Sequence, residues 1–283
     1  MKDMLFIYLQ YLIPQHLLSR GAGWLANTRI KWIKDPFTRW FAKQFNIDMS
    51  EAVETDPCAY DTFNDFFTRA LKPGARPICD EDKAIVFPAD GAISQLGDIR
   101  HGRVFQAKGQ DYSLLELVGG DPELAKPFED GSFATVYLSP KDYHRVHMPF
   151  EGTLTHMIHV PGDLFSVNDV TAANVPRLFA RNERVVCLFD TEAGPMAVIL
   201  VGAMIVASIE TVWAGQIAPV KREIKTTRYN QSENIHLKKG DELGRFKLGS
   251  TAIVLFGPEA SSWQDSLDAG SATRMGEKMG EIN

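Results

Sequence analysis

The first 44 residues carry a helical pattern of apolar positions. An apolar run from Met4 to Ile13, interrupted by Gln10, ends at Pro14. In the segment from Thr28 to Lys43, Ile30, Ile33, Phe37, Trp40 and Phe41 recur at helical spacing, while Arg29, Lys31, Lys34, Arg39 and Lys43 fall mostly elsewhere. Met49 to Asp56 and the aromatic run Phe63, Phe66, Phe67 read as helix or loop. From Ala84 onward the texture becomes short β-branched or alternating runs separated by glycine and proline. These predict strands over 133–138, 153–160, 185–190, 196–212 and 252–256. Gly-Asp pairs at Gly97, Gly162 and Gly240, the first two a strand length after Gly91 and Gly152, read as turns ending hairpin strands and hint at a duplicated antiparallel unit. No βαβ alternation is visible, which disfavours a Rossmann or TIM-barrel arrangement. The expected class is α+β, with amphipathic helices over 1–48 followed by a mainly antiparallel β domain over 49–283. The polar tail from Pro258 is expected to fray, apart from a final strand near Ala272–Glu277.

Charge sharpens this division. The 283-residue chain has 30 Lys plus Arg against 36 Asp plus Glu, a net charge of -6, which excludes a general electrostatic attraction to nucleic acid. Yet residues 1–44 hold seven cations (Lys2, Arg20, Arg29, Lys31, Lys34, Arg39, Lys43) against two anions, together with Trp24, Trp32 and Trp40. The run from Met4 to Ile13 is too short to span a bilayer, which takes roughly 20 apolar residues. No convincing small-residue site follows it as in a cleaved signal peptide. Aromatic and basic side chains on short helices suit a membrane interface, and the positive charge favours an anionic cytoplasmic leaflet. The same helices could instead dock on the protein's own core; the two readings are compatible. Three cysteines, Cys58, Cys79 and Cys187, without a CxxC, support neither a disulfide framework nor a cysteine zinc site and suggest an intracellular chain.

Four segments could carry chemistry. In Lys247–Thr251 (KLGST), Ser250 follows Gly249. A glycine–serine pair is an ordinary turn, but glycine also tolerates the strained backbone through which a serine hydroxyl can attack the preceding carbonyl. The G-x-S-x-G of many serine hydrolases is absent. In Leu138–Pro149, His144 and His147 lie three apart without an HExxH. A general base for a serine is the sharper reading, since a histidine titrates near neutrality. Asp90–Gly91 in FPADG is a common hairpin turn or, functionally, the carboxylate that orients a histidine. His156, His159 and Cys187 read as structural.

Six blocks together carry a family resemblance: Phe87–Gly91 (FPADG), Tyr143–His147 (YHRVH), Val160–Val167 (VPGDLFSV), Asn174–Glu183 (NVPRLFARNE), Val212–Gly215 (VWAG) and Gly244–Thr251 (GRFKLGST). In this order, and with the basic aromatic N-terminus, the chain resembles phosphatidylserine decarboxylases of the bacterial membrane-associated type over nearly its whole length. The resemblance implies a self-processing proenzyme, cleaved between Gly249 and Ser250 into residues 1–249 and 250–283, which stay together as a heterodimer and leave room for higher homo-oligomers. Ser250 would become a covalent pyruvoyl group, with release of ammonia and no need of pyridoxal phosphate or a metal. Asp90 and His147 match the orienting acid and base of that step. A Schiff base between the pyruvoyl group and phosphatidylserine would then carry the decarboxylation to phosphatidylethanolamine. His144, with His147 as competitor, would return the proton. The expected location is the cell membrane, as a peripheral protein on the cytoplasmic face. A serine hydrolase built on Ser250, His147 and Asp90 is the alternative enzyme, and a non-catalytic membrane-surface module the alternative class.

Overall fold

The computed structural model describes residues 2–204, 208–218, 223–230, 232–247 and 250–283. Its helices are α1 (Lys2–Leu12), α2 (Gln15–Ala26), α3 (Lys31–Gln44), α4 (Phe63–Phe67), α5 (Leu114–Leu117), α6 (Pro122–Ala125), α7 (Asp169–Asn174) and α8 (Leu178–Arg181). The strands are β1 (Ala84–Val86), β2 (Gly91–Asp98), β3 (Arg103–Ala107), β4 (Gln110–Ser113), β5 (Ser132–Leu138), β6 (Arg145–His147), β7 (Gly152–Val160), β8 (Arg184–Thr191), β9 (Gly194–Val201), β10 (Ser208–Thr211), β11 (Gly215–Ala218), β12 (Lys225–Arg228), β13 (His236–Leu237), β14 (Glu242–Lys247), β15 (Ser250–Phe256), β16 (Ser261–Trp263), β17 (Ala272–Thr273) and β18 (Lys278–Ile282).

The largest sheet runs β12-β7-β8-β9-β15-β5-β2-β17, with β13 also on β7, and its pairings are antiparallel. Its central strands are near-continuous apolar runs because both faces are covered, and side chains alternate between the faces. Ile253 and Leu255 of β15 join one core with Ile199, Val186, Phe165 and Phe179, under the segment that holds α5 to α8. Ala252, Val254 and Phe256 join a second core with Val198, Cys187, Leu243 and Phe246, under the sheet β11-β10-β14-β6. The α+β class is as the pattern predicts.

Three expectations change in detail. The single run 196–212 is two strands, because β9 belongs to the large sheet while β10 pairs with β14 in the smaller one. Gly97 and Asp98 are the last residues of β2 rather than a turn after it. The tail does not fray: β16 and β1 flank β18, and β17 extends the large sheet beside β2.

The N-terminal helices are docked rather than detached. Ile7 of α1 enters the first core. Gln10 accepts the Ser166 N–H at 2.8 Å and Gln15 the Leu164 N–H at 2.7 Å, while Tyr11 packs edge-on against Phe165. The apolar stripe of α3 turns partly inward, placing Phe41 with Ala26, Phe63, Phe66 and Phe67 in a third cluster. Lys34, counted among the cations for an anionic surface, is buried: its ammonium reaches the Cys58 carbonyl at 2.8 Å and the Tyr60 carbonyl, and pairs with Asp35. What stays outside is aromatic and aliphatic: Phe6, Tyr8, Leu12, Leu17, Trp24, Trp32 and Trp40 are exposed. Among the described residues, no helix is long and apolar enough to cross a membrane.

Candidate active site

Register brings distant blocks to one end of the large sheet. Ser250 opens β15 opposite Leu138, the last residue of β5, and Tyr137 pairs with Thr251 on one side and Ala92 of β2 on the other. Two strand spacings at ~4.8 Å therefore separate the line of β15 from that of β2, which starts one residue after Asp90. Gly91 makes this approach feasible: its φ is +154°, and a Cβ there would lie 2.0 Å from the Tyr137 carbonyl oxygen. The Asp90–Gly91 pair is thus a strand opening and not a hairpin turn. Gly249 lies outside the described residues, and of Ser250 only the backbone is described.

The two histidines sit on an arch leaving β5. His147 ends β6, where its N–H donates to the Pro88 carbonyl at 2.8 Å. Its Nδ1 faces the Gly240 carbonyl at 2.8 Å and its Nε2 the Tyr143 hydroxyl at 3.2 Å. A carbonyl can only accept, so Nδ1 carries the proton and Nε2 accepts from Tyr143. Burial lowers the pKa of His147 and raises that of Tyr143 to about 12, which keeps the imidazole neutral and the phenol protonated.

His144 is fully buried, with Nδ1 2.8 Å from the Asp142 carbonyl and its ring 4.0 Å from that of Phe67. Among the described residues its Nε2 has no hydrogen-bond partner, and burial pushes its pKa down to about 3. The backbone leading to position 249 is tied to the same arch, since the Phe246 N–H donates to the His144 carbonyl.

Asp90 does not take the partner expected for an orienting acid. Arg76 grips its carboxylate through Nε at 2.9 Å and Nη2 at 2.5 Å, and the Met275 N–H donates to it at 2.9 Å. Arg76 also pairs with Glu51 at 2.8 Å. Among the described residues no hydrogen bond joins Asp90 to His147; Asp90 acts on the ring through charge, favouring its protonated form. A cavity of about 660 Å³ opens beside these groups, lined by Arg76, Asp90, Tyr137, Lys141, Asp142 and Arg274 among others. No cluster of three or more His, Cys, Asp or Glu side chains suited to a metal occurs among the described residues.

Comparison with known proteins completes the picture. The family model described as phosphatidylserine decarboxylase matches residues 63–281, and a model described as PSD matches residues 5–46. The chain belongs to the phosphatidylserine decarboxylase family. It is 68% identical over 281 residues to a phosphatidylserine decarboxylase proenzyme of Pseudomonas entomophila strain L48, covering 99% of this chain and 98% of that one. It is 64% identical to that of Pseudomonas fluorescens strain Pf0-1, end to end in both. Membership makes the chain a carboxy-lyase.

For a member of this decarboxylase family, two features of the structure bear on the pyruvoyl group that the resemblance implies. Residue 250 is the first of its strand, where losing its N–H removes little of the ladder, and the buried His144 Nε2 is free to handle a proton. Both fit the group. Arg76, Glu51 and the Gly240 carbonyl were invisible to sequence reasoning, since neither spacing nor residue type marks an arginine fourteen residues before the aspartate it grips. Tyr143 had one signal, its place four residues before His147.

Proposed function

We propose that this chain decarboxylates phosphatidylserine to phosphatidylethanolamine using a pyruvoyl group made from its own Ser250. The observation that carries the reading is the neutral His147, its Nε2 hydrogen-bonded to Tyr143, on the arch beside the strand that Ser250 opens.

In the maturation step the Ser250 hydroxyl gives its proton to Tyr143 as Tyr143 gives its own to His147 Nε2, and the oxygen attacks the Gly249 carbonyl; the Gly249–Ser250 C–N bond then breaks, its nitrogen taking the proton from His147, and leaves an ester. Asp90, held by Arg76, stabilises the imidazolium through its charge. β-Elimination from the resulting ester frees Gly249 as a carboxylate, and hydrolysis of the dehydroalanine releases ammonia. Once formed at residue 250, the pyruvoyl group would supply a ketone for the substrate amine and a sink for the electrons of the carboxylate bond. His144, with His147 as competitor, would relay a proton through Nε2 to the α-carbon once carbon dioxide has left.

The products 1–249 and 250–283 remain a heterodimer, because β15 lies between β9 and β5 and β18 between β1 and β16. Residues 1–48 serve as the interfacial part and 49–283 as the catalytic part. The exposed Trp24, Trp32 and Trp40, with the exposed Arg20, Lys31 and Arg39, support a peripheral position on an anionic, cytoplasmic membrane face, where a diacyl substrate resides.

Intact mass under denaturing conditions tests the reading. Two chains dividing after residue 249, the smaller with a blocked keto terminus, are expected, and Ser250→Ala should give one uncut chain. A single chain with an intact Ser250 that reacts with serine-directed phosphonates would replace the decarboxylase with a hydrolase.

A further inference from the structure

Two arginines are buried in this fold in opposite ways. Arg184 is saturated: its guanidinium donates to the carbonyls of Glu116, Leu117, Ala180 and Asn182 at 2.5–2.8 Å. Arg69, just past α4, is 4% exposed, yet its Nε and Nη1 are buried without any partner. Among the described residues its guanidinium makes one hydrogen bond, a long one from Nη2 to the Lys141 carbonyl at 3.4 Å, and lies 5.9 Å from the centre of the Phe66 ring. Desolvation lowers its affinity for its own proton. A buried, uncompensated cation costs several kcal/mol, and removing it is often neutral or stabilising. The Phe66 ring and the charge of Asp90 offset only part of that cost.

Its surroundings indicate what offsets the rest. Lys141, the residue it touches, lines the 660 Å³ cavity together with Asp90 and Arg76. Phe67, two residues earlier, carries the His144 ring, and the Thr68 carbonyl takes the Arg145 Nε at 2.9 Å. The unsatisfied guanidinium therefore stands directly behind the arch that holds both histidines.

We infer that Arg69, which lies behind Lys141 and is not itself among the residues lining this cavity, receives the phosphodiester of the substrate. This rests on the decarboxylase reading for the identity of the ligand, but not for the existence of an anion site. The substrate offers two anions, and the reaction separates them. Its carboxylate loses its charge as carbon dioxide forms, so a fixed cation there would stabilise the ground state and raise the barrier. Its phosphodiester keeps its charge throughout, so a cation there contributes to binding without opposing the chemistry. Arg69 is thus a binding residue, and its loss should appear in KM rather than kcat.

The test uses the full chain. In the uncut Ser250→Ala protein, calorimetric titration with sn-glycero-3-phosphoserine, inorganic phosphate and serine should show binding of the first. Arg69→Met should weaken it at least tenfold, with Arg69→Lys intermediate. Equal binding of inorganic phosphate would assign a phosphate site in place of a headgroup site and overturn the inference as stated. Thermal unfolding should show Arg69→Met as stable as the parent; a clear fall in Tm with unchanged affinity would make Arg69 structural and overturn it too. In the matured enzyme, Arg69→Met should raise KM for short-chain phosphatidylserine at least tenfold at little changed kcat. A parent chain that binds the probe but never decarboxylates would remove the decarboxylase reading and leave the anion site standing. One that decarboxylates with KM unaffected by Arg69→Met would do the reverse.

Discussion

Tyr143 donates its hydroxyl proton to His147 Nε2 across 3.2 Å while the Gly240 carbonyl takes the proton on the ring's other nitrogen. The pair fixes the imidazole in one tautomer and puts a hydroxyl, able to donate and accept at once, on the nitrogen proposed to act as base. Tyr143→Phe should therefore slow self-cleavage by about 10²-fold, the low end of what a positioned proton-transfer group contributes. It also removes a hydrogen bond that favours the neutral ring, so the acid limb of the maturation rate should move to higher pH, by up to about one unit. Gel-resolved cleavage across pH 5–8 measures both, and maturation faster than the parent's would mean that Tyr143 restrains the base.

Arg76 ties Asp90 to Glu51, and the Met275 N–H ties Asp90 to the tail. Arg76→Leu leaves two carboxylates without their cation in a partly buried place. Loss of one partner of a buried pair costs about 3–5 kcal/mol, and the low end applies because Glu51 is only half-buried and keeps Arg274 as a partner. Urea unfolding of Arg76→Leu on the Ser250→Ala background should show this loss, and Arg76→Lys should recover only part of it because an ammonium cannot grip a carboxylate with a fork of donors.

Both active-site histidines are held below their ordinary pKa by burial, His144 at about 3. The folded state thus binds fewer protons than the unfolded one between that value and the usual ~6.5. Stability is then fully present above pH 7 and falls as the pH drops through 6.5, onward to 3 for His144, by up to about 1.4 kcal/mol per unit, with His147 adding to the fall below 6.5. Unfolding free energies of the uncut Ser250→Ala chain at pH 7.5 and 5.0 measure the slope, and adding His144→Leu should flatten it. An unchanged slope would mean that His144 gains a proton without unfolding.

Trp24, Trp32 and Trp40 project from helices whose inner faces are already engaged by Phe63, Phe66 and Phe67. Replacing all three with serine should leave Tm within a few degrees and lower partitioning onto vesicles of anionic lipid at least tenfold. Flotation at low and high salt separates the aromatic contribution from that of the exposed cations.

The cores explain which parts of the fold were legible. The strands β5, β8 and β15 are largely apolar and β7 mixes apolar positions with Thr and His, so all four could be placed to within a residue or two from pattern alone. The run 196–212 failed because a strand that changes sheets keeps its apolar character through the bend. The tail looked frayed because β16 and β17 are short and partly exposed, and only their pairing with β18 and β2 holds them. Along α3 the helical stripe was visible, but whether it met lipid or Phe63 and Phe67 depended on where α4 docks.

The candidate site divides the same way. Which residue types are present, the aspartate before a glycine, two histidines three apart and a serine after a glycine, is a property of the chain and follows from local chemistry. Which atoms meet is not: that Arg76 and the Met275 N–H hold Asp90, that Gly240 and Tyr143 share His147, and that Arg69 Nε and Nη1 find no partner among the described residues depend on placements across up to 185 residues of chain. Such contacts arise from strand register and the docking of α4, and the energy of a buried charge or hydrogen bond depends on its neighbours in space rather than on its neighbours in sequence.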